Sequence, residues 1–251
     1  MKPTTKTQGS LIAASLGPGD PGLITKLAWD ALSNAQCWAW PVSRKDERSY
    51  AREIVERAGI NPPENTLALA FPMTRDPIVL VQKWGVAAQQ VLATLNSGMD
   101  VVFLVEGDAS FFSTFGHLQR TVLDINPDIN IKIIPGVSSP LAGAAMHQKG
   151  LCEGDQSLAI VSATIGIERI DQLFRDFETV VLLKVRPVLD DLLSLLDKRQ
   201  LFNKCAFIER AGSPEEKLIT DIASLRGSTV HYLSLLIVHC NDGEANLGNR
   251  K

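Results

Sequence analysis

No two of the four cysteines, Cys37, Cys152, Cys205 and Cys240, form a C-x-x-C pair, so the chain has neither a disulfide frame nor a zinc motif, and the thiols read as reduced. The four histidines offer no metal-ligand spacing. His231 and His239 lie an even number of residues apart and would share one strand face, which fits a structural or surface role better than a ligand pair, and no metal is assigned. Aromatic residues make up only 6% and do not alternate with Lys or Arg, and the net charge of −3 leaves no basic stripe, so nucleic acid is excluded as a partner. No apolar run approaches transmembrane length, which argues against a membrane partner. The segment Met1 to Gly9 carries positive charge without the apolar stretch of a signal peptide, so a cytoplasmic protein is expected. Both polar ends, the second running from Asn241 to Lys251, are expected to fray. No Ser-His-Asp or Cys-His arrangement stands out, and no repeat or low-complexity stretch is present.

With 45% hydrophobic and 21% charged residues over 251 positions, the chain can build a full core. Strand and helix signals alternate, which predicts an α/β protein. Strands are expected at Leu11–Leu16, Gln36–Trp40, Leu67–Ala70, Val101–Val105 and Ile131–Ile134. A second set follows at Leu158–Val161, Val180–Leu183, Cys205–Ile208 and the apolar run Tyr232–Val238, the last reading as buried on both faces. Helices are expected after Asp20, up to Ala58, over Thr114–Leu123, Leu141–His147, Ile167–Phe174 and Val188–Leu196. A long one from Asp76-Pro77 to Gly98 has an apolar side of Ile78, Val81, Trp84, Ala88, Val91 and Leu95, with Trp84 as a core residue. The segment from Lys149 to Gln156, with two glycines and two acids, divides the chain into domains 1–150 and 151–251.

Three of the strands run straight into small-residue loops: Leu11–Leu16 into Gly17-Pro-Gly-Asp-Pro21, Val101–Val105 into Glu106-Gly-Asp-Ala109, and Ile131–Ile134 into Pro135-Gly-Val-Ser-Ser139. In a parallel α/β sheet the crevice beyond the carboxyl ends of the strands binds small molecules, and glycine there admits a ligand close to the backbone. The first loop also spells Gly17-x-Gly19-x-x-Gly22, the pattern of a dinucleotide fingerprint. Pro18 and Pro21 have no N–H to give a phosphate, and Asp20 would repel one. Asp20 reads instead as a helix cap with Pro21 in the first position and Leu23, Leu27, Ala31, Ile24, Ala28 and Leu32 on the buried face. A loop of this kind fits a neutral or cationic cofactor.

The order of Gly17-Pro-Gly-Asp-Pro21, Gly107-Asp108 followed by Ser113-Thr114-Phe115, Ile134-Pro-Gly-Val-Ser-Ser139 and a C-terminal strand opening with Tyr232 resembles the tetrapyrrole methylases of corrin and sirohaem synthesis. Phe71-Pro-Met-Thr74, Lys184 closing one strand and Glu209-Arg210 closing another are similar to the precorrin-2 C20-methyltransferases within that family. The resemblance covers nearly the whole chain. It implies a tetrapyrrole methylase fold of two α/β domains, with S-adenosylmethionine and substrate in the cleft between them, and a homodimer. The methyl donor leaves as S-adenosylhomocysteine, and no protein-bound metal is implied.

The family's cofactor contacts carry over to Pro18, to Glu106, Gly107, Asp108 and Phe111, to Ser138 and Ser139, and to Lys184, Ala211 and Tyr232. Electron-rich bridging carbons of a reduced tetrapyrrole attack the methyl group themselves, so the enzyme supplies orientation, worth roughly 7–11 kcal/mol. No catalytic side chain is assigned, and proton removal falls to a side chain or water. The substrate is a polycarboxylate and calls for basic residues, for which Arg75, Lys184, Arg186 and Arg210 are the candidates.

Three residues depart from the family pattern. Ala109 stands where proline usually continues the Gly-Asp turn, Phe112 where an aromatic hydroxyl is common, and Glu106 just before Gly107 either favours a cationic ligand or is a solvated loop acid. C20 methylation of precorrin-2 or its cobalt complex is the favoured reading. Methylation elsewhere on a corrin or sirohaem precursor, a non-catalytic tetrapyrrole-binding paralogue, and an NAD(P)-dependent oxidoreductase with Asp46 or Glu47 as the ribose acid stand as alternatives.

Overall fold

The structure, a computed structural model, describes residues 8–43, 48–71, 74 and 76–241. Asp46, Glu47, Pro72, Met73, Arg75 and both chain ends lie outside the described residues. The chain groups into two compact units, Met1–Ser138 and Ser139–Lys251.

The first unit runs β1 (Leu11–Ser15), α1 (Lys26–Ser33), β2 (Cys37–Val42), α2 (Tyr50–Arg57), β3 (Asn65–Ala70), α3 (Pro77–Asn96), β4 (Val101–Val105), α4 (Phe115–Ile125) and β5 (Ile131–Ile134). All five strands are parallel, in the order β3-β2-β4-β1-β5. Strand alternation divides the apolar residues between two cores. Leu11, Ala13, Cys37, Ala39, Val101, Phe103 and Val105 pack with Ala88, Val91 and Leu95 of α3 and Phe115, Leu118 and Val122 of α4. Ala14, Trp38, Trp40, Val102, Leu104 and Ile134 pack on the other face with Ala28 and Leu32 of α1 and Ile54 and Val55 of α2. Helices therefore cover both faces, and the strand ends are left for the loops.

Two helices differ from expectation. Asp20 caps only a 3-10 turn, Pro21–Leu23, its side chain accepting from the Gly22 N–H. Ile24 and Thr25 are extended, and α1 starts anew behind Thr25, whose hydroxyl accepts from the Ala28 N–H. The buried face shrinks to Ile24, Ala28 and Leu32, and Leu27 is 49% exposed. In α3 the Asp76 cap and the stop at Gly98 are as expected, but only the second half is buried: Ile78 and Val81 are 79% and 66% exposed. At 20 residues α3 reaches transmembrane length and apolarity, against expectation, and its second half packs Ala87, Ala88, Val91, Leu92 and Leu95 inward. Trp84 of α3, only partly buried, stacks on His117 of α4 at 4.2 Å.

The second unit runs α5 (Ser139–His147), β6 (Leu158–Ser162), α6 (Ile167–Asp176), β7 (Thr179–Leu183), α7 (Leu189–Lys198), β8 (Cys205–Glu209), β9 (Lys217–Ile219) and β10 (Ser234–His239). Its sheet order is β6-β7-β10-β8-β9, with β6 and β7 parallel and β10 antiparallel to both β7 and β8. Every residue of β7, β8 and β10 is buried. Val180, Leu182, Phe207, Leu236 and Val238 pack on Ile170, Leu173 and Phe174 of α6 and Leu192, Leu193 and Leu196 of α7. Helix α5 approaches the opposite face, with Gly143 beside Leu235 and Ile208. The short strand β9, absent from the sequence reading, pairs with β8.

Candidate active site

The three loops of the first unit are held to one another by their own backbone. Ser15 closes β1 as a fully buried hydroxyl that accepts from the Ala109 N–H at 2.9 Å. Gly17 and Gly107 exchange backbone hydrogen bonds, Gly17 N to Gly107 O at 3.2 Å and Gly107 N to Gly17 O at 2.8 Å. Both glycines have positive φ, +77° and +73°, which side-chain-bearing residues rarely adopt. The third loop closes on the second through Asp108, whose Oδ2 accepts from the Gly136 N–H at 2.7 Å. A Cβ on Gly136 would lie 2.5 Å from Ser15 Cβ and 3.1 Å from Gly107 O, so the approach of the three loops requires glycine there.

Helix α2 reaches the first loop from outside. The Tyr50 hydroxyl donates to Pro18 O at 3.4 Å, and Arg57 Nη2 donates to Gly19 O at 2.5 Å. Gly17 and Gly22 already donate their N–H groups within the chain, and Pro18 and Pro21 have none. A phosphate would therefore find four of the six positions from 17 to 22 without a donor. An uncharged or cationic ligand needs none of them.

Two acids in the second loop are treated oppositely. Burial pushes the Asp108 carboxyl up, but the Ser110 hydroxyl and the N–H groups of Gly136 and Ser110 outweigh it and hold the pKa below the ordinary aspartate value. Glu106 is half-buried and has no hydrogen bond or ion pair among the described residues, and desolvation pushes its carboxyl up to about 7. Phe111 stacks edge-on against Phe112 at 4.8 Å, and Phe112 adopts φ +49°.

In the second unit, antiparallel pairing brings the ends of β7 and β8 level with the start of β10: Leu183 faces Leu235 and Glu209 faces Ser234. Lys184, Arg186, Arg210, Ala211 and Tyr232 accordingly gather at one end of the three central strands of this sheet. Lys184 and Arg210 are both left-handed, at φ +56° and +53°, a strain that persists where surrounding structure holds it. The Arg210 guanidinium contacts Glu215 at 3.2 Å, and its buried Nε has no hydrogen-bond partner among the described residues. Glu209 accepts from the His231 N–H at 2.6 Å and from Lys217 at 3.2 Å, bonds that overcome its desolvation and keep its pKa low. Desolvation first, then Arg210 and Arg186, hold the His231 pKa below its ordinary value, so these three groups share one electrostatic field.

Pro18, Glu106, Gly107, Asp108, Phe111 and Ser138 thus belong to the first unit, and Lys184, Arg186, Arg210, Ala211 and Tyr232 to the ends of the central strands of the second. Ser139 opens α5. Arg75 lies outside the described residues. Sequence reading missed Ser15, Tyr50, Arg57 and the field around His231. The one available signal was a hydroxyl ending an otherwise apolar strand at Ser15. His231 lies ahead of β10, not within it, while His239, on the last residue of β10, is buried beside Thr179, its Nδ1 3.2 Å from the hydroxyl. Among the described residues no three His, Cys, Asp or Glu side chains gather as a metal set.

Residues 10–226 match the family of tetrapyrrole (corrin/porphyrin) methylases. The chain is 32% identical over 209 residues to a cobalt-precorrin-2 C(20)-methyltransferase of Salmonella typhimurium, covering 83% of this chain and 86% of that one. It is 26% identical over 238 residues to a precorrin-2 C(20)-methyltransferase of a Sinorhizobium species, covering 92% and 95%. A further relative, the cobalamin biosynthesis protein CobIJ of Mycobacterium tuberculosis, is 26% identical over 92% of this chain, which spans about half (46%) of that protein's length. Among solved structures, a uroporphyrin-III C-methyl transferase from Thermus thermophilus complexed with S-adenosylhomocysteine shares the fold at a TM-score of 0.62, with 20% identity and coverage of 92% and 97%. The cobalt precorrin-4 methyltransferase CbiF does so at 0.66, with 18% identity and coverage of 91% and 94%.

Proposed function

The chain belongs to the tetrapyrrole (corrin/porphyrin) methylase family, and from that premise we propose that it transfers a methyl group from S-adenosylmethionine to C20 of precorrin-2 or cobalt-precorrin-2 in cobalamin biosynthesis. One observation carries the choice of substrate: two proteins named as C20-methyltransferases for these macrocycles align with more than four-fifths of this chain and of their own length. Membership also removes the basis for the nicotinamide reading, which rested on the Gly17–Gly22 pattern.

S-Adenosylmethionine supplies an electrophilic methyl group on a sulfonium and departs as S-adenosylhomocysteine. The first-unit loops suit such a ligand, because their glycines let it close to the backbone and their prolines withhold only the donors a phosphate would need. Pro18, Glu106, Gly107, Asp108, Phe111 and Ser138 would hold it there, with Ser139, Lys184, Ala211 and Tyr232 as the remaining contacts. Asp108, ionised and fixed by Gly136 and Ser110, keeps the second and third loops at a set separation. Ser15 and the Gly17–Gly107 pair do the same for the first and second. Rigidity of this kind is what in-line transfer to a carbon nucleophile demands.

The macrocycle's carboxylates would be met by Lys184, Arg186 and Arg210, and Arg75 is the fourth candidate by sequence. The protein is taken to act as a homodimer in the cytoplasm, with no nucleic acid, membrane or metal partner. The test is anaerobic incubation with S-adenosylmethionine labelled in its methyl carbon and either macrocycle, followed by mass spectrometry and carbon NMR. One labelled methyl at C20 is expected, and the faster macrocycle identifies the substrate. Label at another carbon would refute the C20 assignment, and no transfer to either macrocycle would refute the activity.

A further inference from the structure

We propose that the carboxylate of Glu106 accepts the proton that the methylated ring carbon must lose. The inference rests on the C20-methyltransferase reading and adds a residue for which that reading names no role beyond a cofactor contact. In the substitution, a C–CH3 bond forms as the methyl–sulfur bond breaks with its electron pair left on sulfur. The same ring carbon then gives up its hydrogen: the C–H electron pair returns to the macrocycle and the proton goes to a Glu106 oxygen. Nothing is oxidised or reduced, and no further reactant is needed.

Four observations single out Glu106. Its backbone is clamped on both sides, by Leu16 N to Val105 O at 2.9 Å and by the paired bonds between Gly17 and Gly107, so the carboxyl has a fixed origin. It follows β4 directly, at the end of the sheet where the three loops meet. It has no hydrogen bond or ion pair among the described residues, although a half-buried carboxylate without a partner is costly. Asp108, two residues on, is fully engaged and structural, so the loop separates one locked, ionised acid from one left open to exchange a proton.

Its pKa of about 7 suits an acceptor that must be ionised before transfer and release the proton afterwards. Desolvation alone raises it; no neighbouring charge contributes. The bound methyl donor would favour the ionised form through its positive sulfonium.

The test compares wild type, Glu106→Gln and Glu106→Asp in three measurements: cofactor affinity by calorimetry, single-turnover methylation against pH, and carbon NMR titration of glutamate carboxyls without substrate. The expected wild-type result is a carboxyl titrating near pH 7 without cofactor, absent from Glu106→Gln, and a single-turnover rate that rises with pH through a region displaced downward by the bound sulfonium. Glu106→Gln should turn over on the order of 100-fold more slowly at saturating cofactor, with that pH limb gone, and Glu106→Asp should recover part of the rate. A Glu106→Gln enzyme as fast as wild type, or one that loses cofactor affinity while its saturated rate is kept, would overturn the assignment. A wild-type protein that binds the cofactor yet methylates neither macrocycle would overturn the parent reading, and this one with it.

Discussion

Gly136→Ala is the most direct probe of how the first-unit loops are held together. The new methyl group would start 2.5 Å from Ser15 Cβ and 3.1 Å from Gly107 O, both parts of the neighbouring loops. Neither is the free end of a flexible side chain: Ser15 is fully buried and bonded to Ala109, and Gly107 is bonded to Gly17. Restoring ordinary contact requires a shift of roughly 1 Å, and a displacement of that size between reacting groups lowers a rate on the order of 100-fold. Overpacking of a rigid site costs about 1–3 kcal/mol, and each kcal/mol lowers the melting temperature by about 2–4 °C in a chain of this size. The assay pairs thermal unfolding with calorimetric titration of S-adenosylmethionine, and Gly85→Ala in α3 serves as control. A Cβ at Gly85 meets nothing within 4 Å, so that change should stabilise the protein by about 0.5–1 kcal/mol through helix propensity. If Gly136→Ala melts and binds cofactor as wild type does, the three loops are not locked as described.

Ser15→Ala removes the acceptor of the buried Ala109 N–H and should cost about 1–3 kcal/mol in urea unfolding, with weakened cofactor binding; unchanged values for both would remove the hydroxyl from the loop lock. Asp108 has a depressed pKa, so the stability it contributes is present above its unfolded value of about 4 and is lost as pH falls through the lower folded value. Asp108→Asn should therefore show a lower plateau and a shallower acid limb in stability measured against pH, and a parallel downward displacement at every pH would contradict the linkage. Replacing Arg186 and Arg210 together by alanine should raise KM for the macrocycle by an order of magnitude or more while leaving affinity for S-adenosylmethionine unchanged, since each charged hydrogen bond to a carboxylate contributes about 1.5–3 kcal/mol. An unaltered KM would place both arginines outside the substrate site.

The strand-to-loop junctions were legible because three elementary signals coincide there: an apolar run, glycine, and a residue of turn chemistry. Val101–Val105 and Ile131–Ile134 came out with their expected limits; the last strand is buried on both faces as its apolarity indicated, but it runs Ser234–His239 and leaves Tyr232, 42% exposed, ahead of it. The helix after Asp20 was misread because the periodicity of Leu23 to Leu32 continues through Ile24 and Thr25, where the backbone is extended, and because two capping residues, Asp20 and Thr25, stand five apart. In α3, Ile78 and Val81 obey helical spacing yet remain exposed, since period alone does not say whether a neighbouring element is there to cover a face. The site was legible where its residues are contiguous, as in Glu106 to Asp108. It was not legible where partners come from afar: Arg57 meets Gly19 across 38 positions and Ser15 meets Ala109 across 94. The field joining His231 to Arg186 and Arg210 arises only once β10 lies between β7 and β8.

The four tryptophans, Trp29, Trp38, Trp40 and Trp84, all fall in α1, β2 and α3 of the first unit. Intrinsic emission excited at the red edge of the absorption band is thus a private channel for one half of the chain: the second half can melt without dimming it. Tyr232 is the second unit's own aromatic hydroxyl and lies just ahead of the central strand β10, at the strand ends that also carry Lys184 and Arg210, whereas Tyr50 reports from α2. Two-colour denaturation, tryptophan emission beside far-ultraviolet dichroism, would accordingly resolve whether the units lose structure together or in turn, without a label on either.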